Sequence, residues 1–166
     1  MDKIVKKGCM EAIIIDSVTK EYGHSKAVDN LSFKVQKGSI HGFLGPNGAG
    51  KTTTMKIISG VIPPSSGKVY INGNNIQKSL CDSKMKLGVL LENPPLYRDM
   101  EVREYLEFVS KLHKIPWNKT KQAVDYALEK LNIQEVQSRI IGNLSKGYKQ
   151  RVGVAQAIVF NPDIVI

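Results

Sequence analysis

The residues best equipped for chemistry in this chain are GPNGAGKTTT, Gly45 to Thr54. Small glycines let successive backbone N–H groups turn toward one point, a lysine adds a cation, and threonines add hydroxyls. The stretch fits the pattern G-x-x-x-x-G-K-[ST] at each fixed position, Gly45, Gly50, Lys51 and Thr52, with Pro46, Asn47, Gly48 and Ala49 between and Thr53 after. Chance alone aligns those four positions about once in 200 chains of this length, so the flanking elements must decide. With a strand before it and a helix after it, the junction becomes a cradle for the phosphates of a nucleoside triphosphate, because the helix N-terminus contributes its partial positive charge. Lys51 then reaches the β- and γ-phosphates, and the Thr52 hydroxyl ligates the Mg²⁺ that bridges them.

Periodicity supplies both neighbours. Ala12 to Val18 and Leu31 to Val35 read as half-buried strands, and Ser39 to Leu44 is a further short apolar strand that runs straight into the glycines. Thr53 to Ser59, followed by Gly60, reads as a helix. Further on, Lys68 to Ile71 is a strand closed by an Asn72-Gly73 turn, and Leu87 to Leu91 is a buried strand stopped by Asn93, Pro94 and Pro95. The period then becomes helical. Val102, Tyr105, Leu106, Val109 and Leu112 share one face of a helix ended by Pro116, and Val124, Ala127, Leu128 and Leu131 mark a second. A third helix starts at the N-cap residue Ser145 and runs to Phe160, and Asp163 to Ile166 opens another strand. The sum is an α/β domain with a helical insertion.

Composition narrows the class. The 166 residues, 42% hydrophobic and 23% charged, suit one globular domain. No apolar run approaches the roughly 18 residues of a membrane span, and the basic start MDKIVKKG leads into no signal-peptide core, so a cytoplasmic location is expected. Cys9 and Cys81 are far apart and read as structural, and His24, His41 and His113 have no metal-ligand spacing; His41 reads as a packed, hydrogen-bonded strand imidazole. The net charge of +9 attracts polyanions, yet the lysines are scattered and no aromatics are interleaved with them. A solvated basic surface facing phospholipid heads is therefore expected before a nucleic-acid groove, and no nucleic-acid partner is expected.

GFLGPNGAGKTTTMKIISG, with KEYG upstream and LGVLLENPPLY and then NLSKGYKQRVGVAQAI downstream, resembles the nucleotide-binding subunit of ABC transporters, and within them the ABC-2-type exporter ATPases. The likeness covers the chain from about Glu11. It implies a P-loop NTPase fold with an N-terminal antiparallel β subdomain, a parallel core sheet and a helical insertion that carries a signature motif. Residues 11–166 would form an incomplete nucleotide-binding domain behind a basic extension over residues 1–10. By the same resemblance Tyr22 stacks on adenine, and Gly48, Gly50, Lys51, Thr52 and Thr53 hold the phosphates of ATP. Glu92 occupies the position of a glutamine that senses Mg²⁺ and couples to the membrane subunit. Leu144 to Tyr148 aligns with LSGGQ, with lysine for the first glycine and tyrosine for the glutamine, so that Ser145 and Gly147 contact ATP held by a second subunit in a head-to-tail dimer. The partners implied are ATP with Mg²⁺, that second ATPase subunit and a separate permease, which would hold the chain on the inner face of the membrane.

The resemblance also implies an aspartate for Mg²⁺ and a glutamate for the attacking water after the strand at Asp163 to Ile166, then a switch histidine; the 166 residues hold none of these. The expectation is a chain that binds ATP and scarcely hydrolyses it, with no catalytic residue of its own. Two other readings stay open: a soluble ABC-type ATPase that acts on ribosomes or DNA, and a nucleotide-binding remnant with no transport role.

Overall fold

A computed structural model describes residues 11–78 and 86–166. The basic extension over residues 1–10 and both cysteines lie outside the described residues. The chain divides into two compact units, Met1–Lys84 and Met85–Ile166.

In the first unit the β-branched run grows into strand β1 (Glu11–Tyr22), and the alternating segment lies within β2 (Ser25–Gln36). Strand β3 (Ser66–Ile71) pairs antiparallel with the other edge of β1, and the Asn72-Gly73 turn returns the chain into β4 (Asn74–Asn75), giving the order β2-β1-β3-β4. Period-two alternation sets Ile13 opposite Ile71 and Ile15 opposite Val69, and all four are buried. Ser17 interrupts the alternation with a φ of 52° and a shift of register, which returns Val18 to the buried side.

Ser39 to Leu44, expected as the strand before the glycines, is not one. Strand character comes from hydrogen bonds to a neighbour, and these residues join no ladder among the described residues, with Ile40 103% and Leu44 93% exposed. Rings hold the segment to the sheet instead: His41 stacks on Phe33 of β2 with centroids 5.6 Å apart and planes 3° apart, and Phe43 approaches the same ring at 5.6 Å. His41 is thus an exposed, stacked imidazole and not a packed strand residue. Helix α1 (Lys51–Ile58) follows the glycines as expected. It closes with Gly60 N–H donating to the Ile57 carbonyl and Val61 N–H to that of Lys56, the paired bonds of a Schellman motif.

The second unit begins with β5 (Leu87–Gly88) and ends with β6 (Ile164–Val165), paired parallel; Leu90 N–H extends the ladder to the Ile166 carbonyl. The expected Leu87 to Leu91 strand is thus hydrogen-bonded as far as Leu90, and Leu91 is 40% exposed. Between the strands lie helices α2 (Val102–Leu112), α3 (Trp117–Lys130) and α4 (Lys146–Ile158), with 3₁₀ turns at Gln134–Val136 and Ile141–Asn143. Leu106, Val124, Leu128, Ile133 and Val152 are at most 1% exposed in one shared apolar cluster. Burial of each is worth about 1.5–3 kcal/mol.

Two helical expectations change. Leu112, assigned to the buried face of α2, is 60% exposed, because the apolar cluster ends one turn earlier, at Val109. Pro116 does not stop α2. That helix closes through Lys114, with Ile115 N–H donating to the Ser110 carbonyl, and Pro116 is the N-cap of α3, where an N–H would have no acceptor in the helix anyway. Helix α4 packs so closely on β5 that a Cβ on Gly88 would lie 2.1 Å from the Ala157 carbonyl oxygen.

A candidate phosphate-binding site

Gly48 and Gly50 take φ of 83° and 82°, with Ala49 outside the positive range between them. That alternation turns successive N–H groups toward a common side. Gly50 is also the N-cap of α1; with no side chain it caps nothing, and the first turn carries no acidic residue. The leading N–H groups of α1 therefore have no acceptor inside the helix, and the positive end of its dipole meets no carboxylate of that turn. Lys51, the first helical residue, places a cation at the end where the dipole disfavours one, a cost that a bound anion would reverse.

The lysine curls over the loop. Its Nζ donates to the carbonyl oxygens of Gly45 at 2.6 Å and Pro46 at 2.7 Å, and Ala49 N–H donates to the same Pro46 oxygen at 3.2 Å. The loop thus closes on itself around one ammonium. Thr52 is exposed and Thr53 half-buried. Thr54, which sequence reasoning passed over, is buried and donates its hydroxyl to the Gly50 carbonyl at 2.9 Å, fastening the loop to the helix; its signal was the i−4 spacing from Gly50.

β2 positions the junction. Its Ala27 and Val28 stand against Gly50, the carbonyl oxygen of Ala27 only 2.2 Å from where a Cβ would lie. Ser25, two residues back along β2, pairs with Tyr22 at the hairpin tip, a rise of about 7 Å from Ala27. The Tyr22 ring is 54% exposed with Lys20 Nζ 5.2 Å from its centroid, so one face of the ring carries a cation. The phosphate loop and Tyr22 belong to the first unit; Glu92, Ser145 and Gly147 belong to the second.

In the second unit Ser145 is the N-cap of α4, its Oγ accepting from Tyr148 N–H at 3.4 Å, and Gly147 is exposed on the first turn with no side chain crowding it. The tyrosine in the signature segment gains a role that its spacing did not reveal. Its hydroxyl donates to Glu135, which raises the Tyr148 pKa first through that bond and then through the carboxylate charge. Lys149 Nζ donates to the Gly142 carbonyl at 2.8 Å, so the first turn of α4 is tied to both 3₁₀ turns. Glu92 is exposed at the edge of an open cleft of about 420 Å³, lined also by Arg98, Lys146 and Lys149. Among the described residues no group of three or more His, Cys, Asp or Glu could hold a metal ion. A Mg²⁺ here would take its oxygens chiefly from phosphate, water and Thr52, a donor set that suits that ion. Among the described residues no helix is long and apolar enough to cross a membrane.

An uncapped helix behind a glycine nest, reached by a lysine at its first turn, defines a P-loop nucleotide-binding protein. The chain belongs to the ABC transporter family, whose profile matches residues 28–166. It is 39% identical over 152 residues to the bacitracin transport ATP-binding protein BcrA of Bacillus licheniformis, covering 90% of this chain and 48% of that protein. It is 29% identical over 154 residues to the daunorubicin resistance ATP-binding protein DrrA3 of Streptomyces coeruleorubidus, covering 93% and 49%. The chain spans about half the length of these curated relatives. The fold matches a solved structure described as the ATP-binding subunit of an ABC transporter, with a TM-score of 0.85 at 23% identity, over 93% of this chain and 64% of that one.

Proposed function

We propose that this chain is the nucleotide-binding part of the ATPase subunit of an exporter, binding ATP with Mg²⁺ at Gly45 to Thr53 and working with a separate permease on the inner face of the membrane. The observation that carries the reading is the start of α1, where Gly50 leaves the helix uncapped while Lys51 closes over the loop carbonyls. An incoming triphosphate offers the lysine better acceptors than two carbonyls and offers the open N–H groups an anion. Thr52 completes the metal site, and Tyr22 supports adenine by stacking, a contact of about 1–3 kcal/mol where measured for bases on aromatic rings.

In this reading Ser145 and Gly147 face the nucleotide of a second subunit, and Glu92 stands at the coupling position. In the same reading the 166 residues alone bind ATP without appreciable turnover. The transport relatives favour export over a ribosome- or DNA-directed role.

Titration calorimetry of the chain with Mg²⁺ and a slowly hydrolysed ATP analogue tests the site. Saturable heat that vanishes in Lys51→Ala supports it; no heat from chain whose fold is verified by circular dichroism overturns it. Retrieval of the full-length protein with a membrane permease, and not with ribosomes or DNA, tests the assignment to transport.

A further inference from the structure

The corner between α2 and α3 combines exposed cations with exposed apolar side chains. From Glu107 to Asp125 the chain contains no acidic residue, and within that span lie Lys111, Lys114, Lys119 and Lys121. All four are exposed, and none forms an ion pair among the described residues. In their midst are two large apolar side chains in water, Trp117 at 88% and Leu112 at 60% exposure. Trp117 is the single tryptophan of the chain.

The corner is ordered. Lys114 N–H donates to the Lys111 carbonyl at 2.9 Å and Ile115 N–H to that of Ser110 at 3.0 Å, while Lys119 and Thr120 N–H groups both reach the Pro116 carbonyl. His113 anchors it inward by stacking on Phe160, with centroids 3.5 Å apart. Lys114 holds a φ of 59°, where glycine is the relaxed choice and a side chain is strained. A cation therefore occupies a position that backbone strain would otherwise give to glycine.

We propose that this corner is a docking surface for an anionic lipid bilayer, with Trp117 and Leu112 entering the headgroup boundary and the four lysines on lipid phosphates. Charge complementarity selects the occupant: four cations in no ion pair among the described residues, on a stretch with no acidic residue between Glu107 and Asp125, match an anionic leaflet, and an exposed indole beside an aliphatic chain matches the interfacial layer, where one side of a residue is apolar and the other wet. A nucleic acid would gain little, since one ring gives no ladder for successive bases. The contact belongs to this chain itself and does not depend on the nucleotide site or on a permease.

The sole indole makes the test direct. The full chain is mixed with vesicles of phosphatidylcholine alone or with about one-third phosphatidylglycerol, while tryptophan emission and flotation are followed. The expected result is a blue shift of emission, quenching by lipid brominated near the headgroup, and flotation with the anionic vesicles only, all suppressed at about 0.5 M salt. Each lysine is expected to contribute about fivefold to the partition. The variant carrying Lys111→Gln, Lys114→Gln, Lys119→Gln and Lys121→Gln should lose it by several hundredfold, about fivefold for each charge. Trp117→Ser, followed by flotation, should weaken it about tenfold. Emission unmoved by anionic vesicles, equal binding to uncharged vesicles, or quenching of Trp117 by single-stranded RNA but not by vesicles would each overturn the proposal. Should the quadruple variant not fold, the salt and lipid series on the unaltered chain decides.

Discussion

Gly50 and the carbonyl oxygen of Ala27 lie so close that any Cβ at position 50 would stand 2.2 Å from that oxygen. Strand β2 meets the start of α1 there through the Ala27 carbonyl and the Val28 side chain, so the glycine loop is seated against the sheet by a carbonyl that every residue but glycine would displace. Gly48 has a similar φ, 83°, but open space where its Cβ would be.

The two glycines should therefore separate in urea unfolding. Gly48→Ala carries only the cost of a left-handed backbone, about 1–2 kcal/mol. Gly50→Ala adds a backbone collision and is expected to lose about 3 kcal/mol or more. Equal losses would mean that the contact with Ala27 is not what holds the loop.

Lys51 grips the carbonyls of Gly45 and Pro46 in addition to its proposed work on phosphate. Lys51→Ala is expected to lower affinity for a Mg²⁺-ATP analogue at least about a hundredfold, a loss of the size expected for charge-assisted bonds. Hydrogen exchange at residues 45–50 should speed up in the same variant without nucleotide, while circular dichroism stays unchanged.

Ser145 caps α4 through the amide of Tyr148. Ser145→Ala should cost about 1 kcal/mol, read in thermal unfolding, with the Tyr148 amide exchanging faster; Ser145→Asp should restore the cap and both readouts.

His113 stacks flat on Phe160, and its Nδ1 is buried with no hydrogen-bond partner among the described residues. Burial lowers its pKa from the ordinary 6.5. The folded imidazole stays neutral where the unfolded one takes a proton. Its contribution is thus full above about pH 6.5 and falls as pH drops through that value toward the lowered one. His113→Phe keeps a stacked ring and removes the titration. The stability gap between the variant and the unaltered chain should widen in the variant's favour as pH falls from about 7.5 to 5.5; a constant gap refutes the account.

Helices were legible in sequence because their hydrogen bonds join residues four apart. Ser145 as a cap and the apolar spacing of Val102, Tyr105, Leu106 and Val109 are local facts, and the structure contains both, whereas α1, expected from Thr53, starts two residues earlier at Lys51. The glycine turn at Gly48 and Gly50 and the helix after it were legible for the same reason, while the strand expected before them was not formed. Pro116 was misread because a proline stops one helix and starts another equally well, and only the Lys114 closure shows which.

Strand pairing was less legible. Ile40 and Leu44 alternate like strand residues, yet a ladder needs a neighbour that no alternation encodes. The bond from Tyr148 to Glu135 spans 13 residues and could not be read from either position.

By itself the chain of residues determined the succession that we propose for phosphate: glycines at 48 and 50, a lysine at 51, hydroxyls at 52 and 53, in an order set by covalent connection. Tertiary structure decided what covers what. The carbonyl of Ala27 against Gly50 and the ring of Phe33 under His41 each depend on separate segments arriving at the same place, and contact at a distance along the chain is settled by packing, which no local pattern carries.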